Sequence, residues 1–531
     1  MLNETSDRRT PVAERIVLIL SIVLIAISVF FRFWHLGNIP ALSGDEAVNG
    51  AASFELLHGH SIDWITPTGH IYPITYLGPV LLLHAIFPPS IVLLRLTAVV
   101  CGIAAIAVNY ILCRRLFGQS CALLTSLLIA VLPENIALSR LGWEPCESVL
   151  IDLVVVYGSL AILQKDINLK RSIPGTVVAC ILALMAQPTN AFVTLFLPIA
   201  IIMRWAPKIA AYLATGNKTF RYAISATTIA LAIVVGMLAL HRPLALMGSL
   251  RHFQSRAFIL DYAALFSGRT IYNYIGGYPR PFDHVDAIDI LSVLPWVLCA
   301  VLAARGKAND LDRFVAIGWL IQLAAFASIA GAVALEPSLN RFGICLISPG
   351  VLLFVRTLER STENRILAAQ AAQFATLALS ALLLIGFYNC YFRYIIKTGG
   401  NSEPAFRTAA TDPKQTAFEY VQSQCPASRP CYVVCSSWWN YQPARYFAAQ
   451  HSNIHVLKLD EITPAEGASC LIAMKLGNFW TIDFIDERPL VRKTLAIPGI
   501  QWQIIAVPDY AGRPIVIIGH PALGEFRHGQ Q

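Results

Sequence analysis

Charge is scarce in this sequence. Only 14% of its 531 residues are Asp, Glu, Lys or Arg, against about 25% in an ordinary soluble domain. With 56% apolar residues and a mean hydropathy of +0.59, a wholly soluble protein, a disordered chain, a coiled coil and a collagen-like repeat are all excluded. No basic patch interleaved with aromatics is present, so a nucleic-acid partner is not expected. No Gly-rich loop follows a strand, which argues against a nucleotide-phosphate site. No internal repeat shows in the hydropathy. The 12 cysteines fall mostly inside apolar runs, where they act as small apolar residues rather than as a disulfide framework.

What the chain does have is a series of apolar runs, at 15–33, 91–112, 119–135, 147–164, 172–187, 189–204, 220–240, 287–304, 313–334, 342–356 and 366–389. A run of roughly 17–25 apolar residues crosses a bilayer core, so about eleven membrane-spanning helices are expected. Basic residues mark the cytoplasmic loops of such proteins. Here they fall on alternate loops, at Arg8, Arg9 and Arg15, at Arg114 and Arg115, at Lys165, Lys170 and Arg171, at Arg204, Lys208, Lys218 and Arg221, at Arg305, Lys307 and Arg313, and at Arg356, Arg360 and Arg365. That alternation puts the N-terminus inside and the C-terminus outside. Counting residues 71–87 as a span would invert every later loop, so this short, proline-containing run reads as a re-entrant or interfacial helix. The first run, with Arg15 before it and no small-residue cleavage site after it, reads as an uncleaved anchor.

The reading divides the chain into a membrane domain, 1–392, with external loops 34–90, 136–146, 241–286 and 335–341, and a soluble periplasmic α/β domain, 393–531. Composition changes near Cys390, and Gly399 to Pro404 reads as a linker. Asp412-Pro413 opens a helix to Gln424. Strand-like runs follow at Cys431–Cys435, Ile454–Leu459, Cys470–Met474, Trp502–Val507 and Ile515–Ile518. Cys425 and Cys431 flank a Pro-Ala-Ser-Arg-Pro loop and suit a disulfide in an oxidising compartment.

Acids on the external face are the natural place to look for chemistry, because charge near a bilayer is costly to retain. Asp45 and Glu46 follow the first span, where Ser43 or Asp45 can also cap a helix. Glu144 and Glu147 share a helix face, and Asp152 lies one turn deeper. Arg95 opens the second span and Arg341 precedes a late one. Guanidinium groups bind phosphate bidentately. A carboxylate beside a phosphate-binding arginine suits glycosyl transfer from a lipid phosphate, with the acid as base on the acceptor hydroxyl.

These residues resemble the GT-C superfamily of integral-membrane glycosyltransferases, in the branch of protein O-mannosyltransferases, lipid A aminoarabinose transferases and bacterial galacturonosyltransferase-like enzymes of the Rgt type. The resemblance spans 1 to about 390 and rests on Asp45-Glu46 and the helix after it, Arg95-Leu96, the Arg-Arg-Leu-Phe-Gly turn at 114–118, Ser139-Arg140 with acids downstream, and Asn340-Arg341-Phe342 ahead of Ser-Pro-Gly. It implies Asp45 as catalytic base, Glu46 as its partner or a metal contact, Glu144 or Glu147 as a second acid, and Arg341, with Arg95, at the donor phosphate. His70, Tyr72, Gln187, Tyr272 and Tyr274 are assigned to substrate binding. Gln187 stands where many relatives carry a Thr-Lys-Gly-like turn, so a donor contact there is neutral. A divalent metal ion is left open, with Glu46, Glu147 and His70 as its candidates. The implied reaction moves a sugar from a polyprenyl-phosphate donor to a hydroxyl of an envelope lipid or glycan of lipopolysaccharide or lipid A type. The alternatives are a protein hydroxyl as acceptor, or, from another class, a transporter or flippase of lipid-linked sugars.

Overall fold

The computed structural model describes residues 11–65, 71–164, 168–214, 255–279, 296–301, 303, 309–330, 340–363, 365–400, 406–487 and 501–522. Among them, eight helices are long and apolar enough to cross a membrane. They match eight of the expected spans. The run 220–240 lies outside the described residues, as does most of 287–304. The run 119–135 is only a 13-residue helix, because Pro133 starts a new one.

Helix α1 (Pro11–Phe33) leads through residues 34–43 into α2 (Gly44–Leu57). Next come α3 (Ile74–Ile86), α4 (Ile91–Phe117), α5 (Gln119–Val131) and α6 (Pro133–Leu138). A 3-10 turn (Glu144–Glu147) opens α7 (Ser148–Leu163). α8 (Leu169–Ala186) breaks at a second 3-10 turn (Pro188–Asn190) before α9 (Ala191–Thr194) and α10 (Phe196–Ala214). The run 71–87 forms α3, whose 13 residues span about 20 Å at 1.5 Å each, less than the hydrocarbon thickness.

The stretch read as a long loop, 241–286, is helical where it is described, as α11 (Ser255–Ser267) and α12 (Arg269–Gly276). Then come α13 (Asp310–Ile329), a 3-10 turn (Asn340–Leu346), α14 (Ile347–Thr362) and α15 (Ile366–Phe387). One buried apolar core runs through this bundle.

Near the C-terminus the chain forms a mixed five-stranded sheet in the order β2-β1-β3-β5-β4. Its elements are α16 (Asp412–Gln424), β1 (Cys431–Cys435), α17 (Trp438–Ala448), β2 (Ile454–Lys458), α18 (Pro464–Lys475), β3 (Phe479–Phe484), β4 (Gln501–Pro508) and β5 (Pro514–Ala522). β1 pairs in parallel with β2 and β3, and β5 pairs antiparallel with β3 and β4. Cys425 and Cys431 are disulfide-bonded.

One strand expectation is corrected. Cys470–Met474 lies in α18, started by Pro464 in its first turn and by a capping box between Thr463 and Glu466. Those start signals outweigh a short apolar run. The central strand there is β3, buried along its length.

The sheet domain is fastened to the loop that leads into α2. Ala41 N–H donates to Ala409 O at 3.2 Å and Thr411 N–H to Asn38 O at 2.9 Å. Leu42 N–H donates to Thr411 Oγ1 at 3.1 Å. α17 packs along α2 itself. A Cβ on Gly44 would sit 2.5 Å from the Trp438 indole nitrogen, and one on Gly50 would sit 2.5 Å from the Tyr446 ring. The Tyr446 ring cannot swing away, because its hydroxyl donates to Ser90 O at 3.0 Å and lies 3.2 Å from His84 Nε2. Gly50→Val is therefore expected to cost about 1–3 kcal/mol by overpacking, read as a lowered Tm. An unchanged Tm would mean the two helices are not apposed this closely.

Lys414 of α16 is buried under the same loop, donating to Leu42 O at 2.9 Å and Phe406 O at 2.6 Å. Burial pushes its ammonium down to about 7 from 10.5. Between those values the unfolded chain holds a proton that the folded chain does not, so Lys414 makes stability rise with pH from about 7 towards 10.5. Lys414→Met should flatten that rise in Tm. An equal slope in the variant would contradict it.

Candidate active site

Residues 34–46 are shaped by buried arginines. Arg95, on α4, is 0% exposed. Its Nη1 donates to Leu36 O and Pro40 O at 2.9 Å, and its Nη2 to Ala41 O at 3.1 Å. Its Nε and Nη2 each meet one Glu46 carboxylate oxygen at 2.8 Å. Arg140, in the turn just past α6, ties the end of α1 to the same loop, donating to Phe31 O and to Ile39 O. The loop therefore enters α2 in a fixed direction. Ser43 caps the helix, and Glu46 closes the capping box on the Ser43 N–H at 3.1 Å. Gly142 N–H also donates to Glu46, at 2.5 Å.

This geometry corrects two assignments. All five N–H bonds of Arg95 are taken, leaving none to hold a phosphate. Glu46 is buried and committed to Arg95, Gly142 and Ser43, so it acts as a structural tie rather than a free base or metal ligand. The adjacent Asp45 shares the first turn of α2 but is only half-buried.

One turn along α2 from Asp45, Asn49 donates to Glu144 Oε2 at 3.3 Å and to Gly142 O at 3.4 Å. Residues four apart share a helix face, so the side of α2 carrying Asp45 turns towards the 3-10 turn carrying Glu144. Glu147 of that turn accepts from Thr75 Oγ1 at 2.7 Å. The Arg341 guanidinium lies 5.2 Å from the Trp143 ring centroid and 4.9 Å from that of Phe342, and Glu144 is within reach of its charge. Glu144 and Arg341 thus meet beside Trp143, and Asp45 lies one helical turn from Asn49, which bonds Glu144. A base near a developing hydroxyl and a guanidinium near a leaving phosphate are the two functions such a grouping supplies.

The remaining candidates separate. Tyr72 is buried in a cluster with Val48, Ala52 and Leu77, against which Trp438 packs. Burial, with the Glu144 carboxylate nearby, raises its phenol above the ordinary value. Gln187 is buried at the end of α8. Tyr272 and Tyr274 are 7% and 2% exposed and pack on Phe387 and Phe406 respectively. Neither offers a ring face to a sugar, because α12 turns both inward. His70 lies outside the described residues. Among the described residues no group of three or more His, Cys, Asp or Glu side chains is placed to hold a metal ion.

Sequence reasoning missed Asn49 and Trp143. Asn49 was detectable as the polar residue one turn after Asp45. Nothing local marks Trp143 as the platform under Arg341, since that contact joins residues 198 positions apart.

No protein-family model matches the chain, and no curated protein matches it either. Among solved structures, the archaeal oligosaccharyltransferase of Archaeoglobus fulgidus, in complex with Zn and sulfate, aligns over 90% of this chain and 69% of its own at 14% identity, with a TM-score of 0.49. The crystal structure of ArnT from Cupriavidus metallidurans bound to undecaprenyl phosphate aligns over 94% of this chain and 97% of its own, at 14% identity and a TM-score of 0.54. At so low an identity the likeness to ArnT is one of architecture: the chain has the fold of that polytopic membrane protein.

Proposed function

We propose that this protein transfers a sugar from a polyprenyl-phosphate-linked donor to a hydroxyl of an envelope lipid or glycan, of lipopolysaccharide or lipid A type. The observation that supports the reading is the approach of Arg341 to Glu144 beside Trp143, with Glu144 bonded by Asn49, one turn along α2 from Asp45. Asp45 takes the proton of the acceptor hydroxyl as its oxygen attacks the anomeric carbon. The bond from that carbon to the phosphate oxygen breaks, the lipid phosphate leaves with the electron pair, and Arg341 balances its charge. Glu144, held by Asn49, is the second acid, and Gln187 is a neutral donor contact. In support, the aligned ArnT structure is bound to undecaprenyl phosphate.

In this reading residues 1–392 form the membrane domain and 393–531 a soluble domain on the periplasmic side of a bacterial inner membrane. The Cys425–Cys431 disulfide suits that oxidising side. Mass spectrometry of envelope glycolipids and glycoproteins from a strain lacking the gene tests it. A glycolipid missing one sugar is the expected result. A glycoprotein missing the sugar instead would transfer the reading to a protein acceptor, and an unchanged envelope would overturn it.

A further inference from the structure

Asp152, which this transfer does not use, sits in the interior of the bundle. It lies on α7 one turn beyond Ser148 and is 0% exposed. Among the described residues neither of its carboxylate oxygens has a hydrogen-bond partner, and no basic side chain compensates it. An isolated carboxylate in such surroundings is too costly to leave uncompensated, and acids placed this way in membrane spans mark ion or proton sites.

Oxygens without partners among the described residues lie on two elements that meet α7. Asn190 is 0% exposed. Its Nδ2 donates to Ser148 Oγ and to Ala183 O, each at 3.0 Å, while its Oδ1 has no donor. Ser348 Oγ, on α14, is buried and equally without a partner. Cys345, three residues before Ser348, lies within electrostatic reach of Asp152, as does Cys180 on α8.

The backbone is irregular here on two sides. α8 ends at an extended Gln187 followed by the turn Pro188–Asn190, and that turn packs on the turn Asn340–Leu346, which also packs on α7. Non-helical backbone at membrane depth persists where protein buries it or where it serves an ion. The carbonyl end of α8 adds partial negative charge in the same place.

We propose that Asp152, Ser148, Asn190 and Ser348 bind one small monovalent cation, sodium, inside the membrane domain. Charge balance selects the valence. Asp152 is the one acid of the group, so a single positive charge neutralises it, whereas a divalent ion would leave a net charge buried. A proton would also neutralise Asp152, but its one O–H could meet only one of the orphaned acceptors. A hard cation accepts several oxygen ligands at once. The site stands independently of the sugar-transfer reading, and its test needs no sugar substrate.

The purified full-length protein in detergent is assayed for binding of radioactive sodium, and its Tm is compared in sodium chloride and choline chloride of equal ionic strength. Saturable binding, displaced by unlabelled sodium or potassium chloride, and a higher Tm in sodium are expected. Asp152→Asn should lose both. Should that variant fail to fold, Asn190→Ala should weaken sodium binding about tenfold, as loss of one ligand does. Absence of saturable binding in the wild type, displacement by calcium or magnesium alone, a Tm that follows pH but not sodium, or undiminished binding in folded Asp152→Asn would each overturn the site.

Discussion

Asp45→Asn should abolish sugar transfer while the protein still folds and inserts. General-base catalysis contributes about 10²–10⁴-fold to such a step, and an amide of the same size cannot take the proton. The substitution leaves the start of α2 in place, because Ser43 supplies the helix cap and Glu46 completes the capping box. The loss of Asp45 removes favourable charge near the N-terminus of α2, about 0.3–1 kcal/mol. A transfer assay with polyprenyl-phosphate sugar, run beside a thermal melt, separates the two effects. Near-normal turnover by a folded Asp45→Asn protein would remove Asp45 as the base.

The neighbouring position should behave in the opposite way. Glu46→Gln leaves Arg95 buried with its charge uncompensated, and breaking such a pair costs about 3–5 kcal/mol. The loss should appear as a large fall in Tm and in membrane-inserted yield, whatever the substrate. Replacing Arg95 by Met as well should restore only part of the stability. The Arg95 guanidinium also satisfies the carbonyls of Leu36, Pro40 and Ala41, and the double variant leaves those three acceptors buried without a donor. A Glu46→Gln protein that melted like the wild type but failed to turn over would return Glu46 to the catalytic group.

Adjacent acids with such different fates show what local sequence can and cannot carry. Apolar runs long enough to cross a bilayer and the start of the 412–424 helix are local properties and were legible, whereas the break of 119–135 at Pro133 went unread. So was the placing of Asp45-Glu46 at the head of a helix after the first span. Which of the two turns inward was not legible, because it depends on Arg95 arriving from α4, 49 residues away. The same distance effect disguised Tyr272 and Tyr274. Tyrosines interleaved with arginines resemble a sugar platform until α12 turns their rings onto Phe387 and Phe406. In the C-terminal part, a short apolar stretch at 470–474 suggested a strand, but the capping residues seven positions earlier decided for helix. The strand β3 escaped notice because Asp483 interrupts its apolar pattern, a polar group that accepts from Ser436 N–H and Oγ.

The proposal that Asp45, Glu144 and Arg341 serve one site is open to one decisive observation, a structure of the full-length protein with undecaprenyl phosphate bound. The lipid phosphate should lie within hydrogen-bonding distance of Arg341, on the side of α2 that carries Asp45, with room between phosphate and carboxylate for a sugar and an acceptor hydroxyl. A phosphate bound elsewhere, with Arg341 untouched and Asp45 walled off from it, would contradict the account.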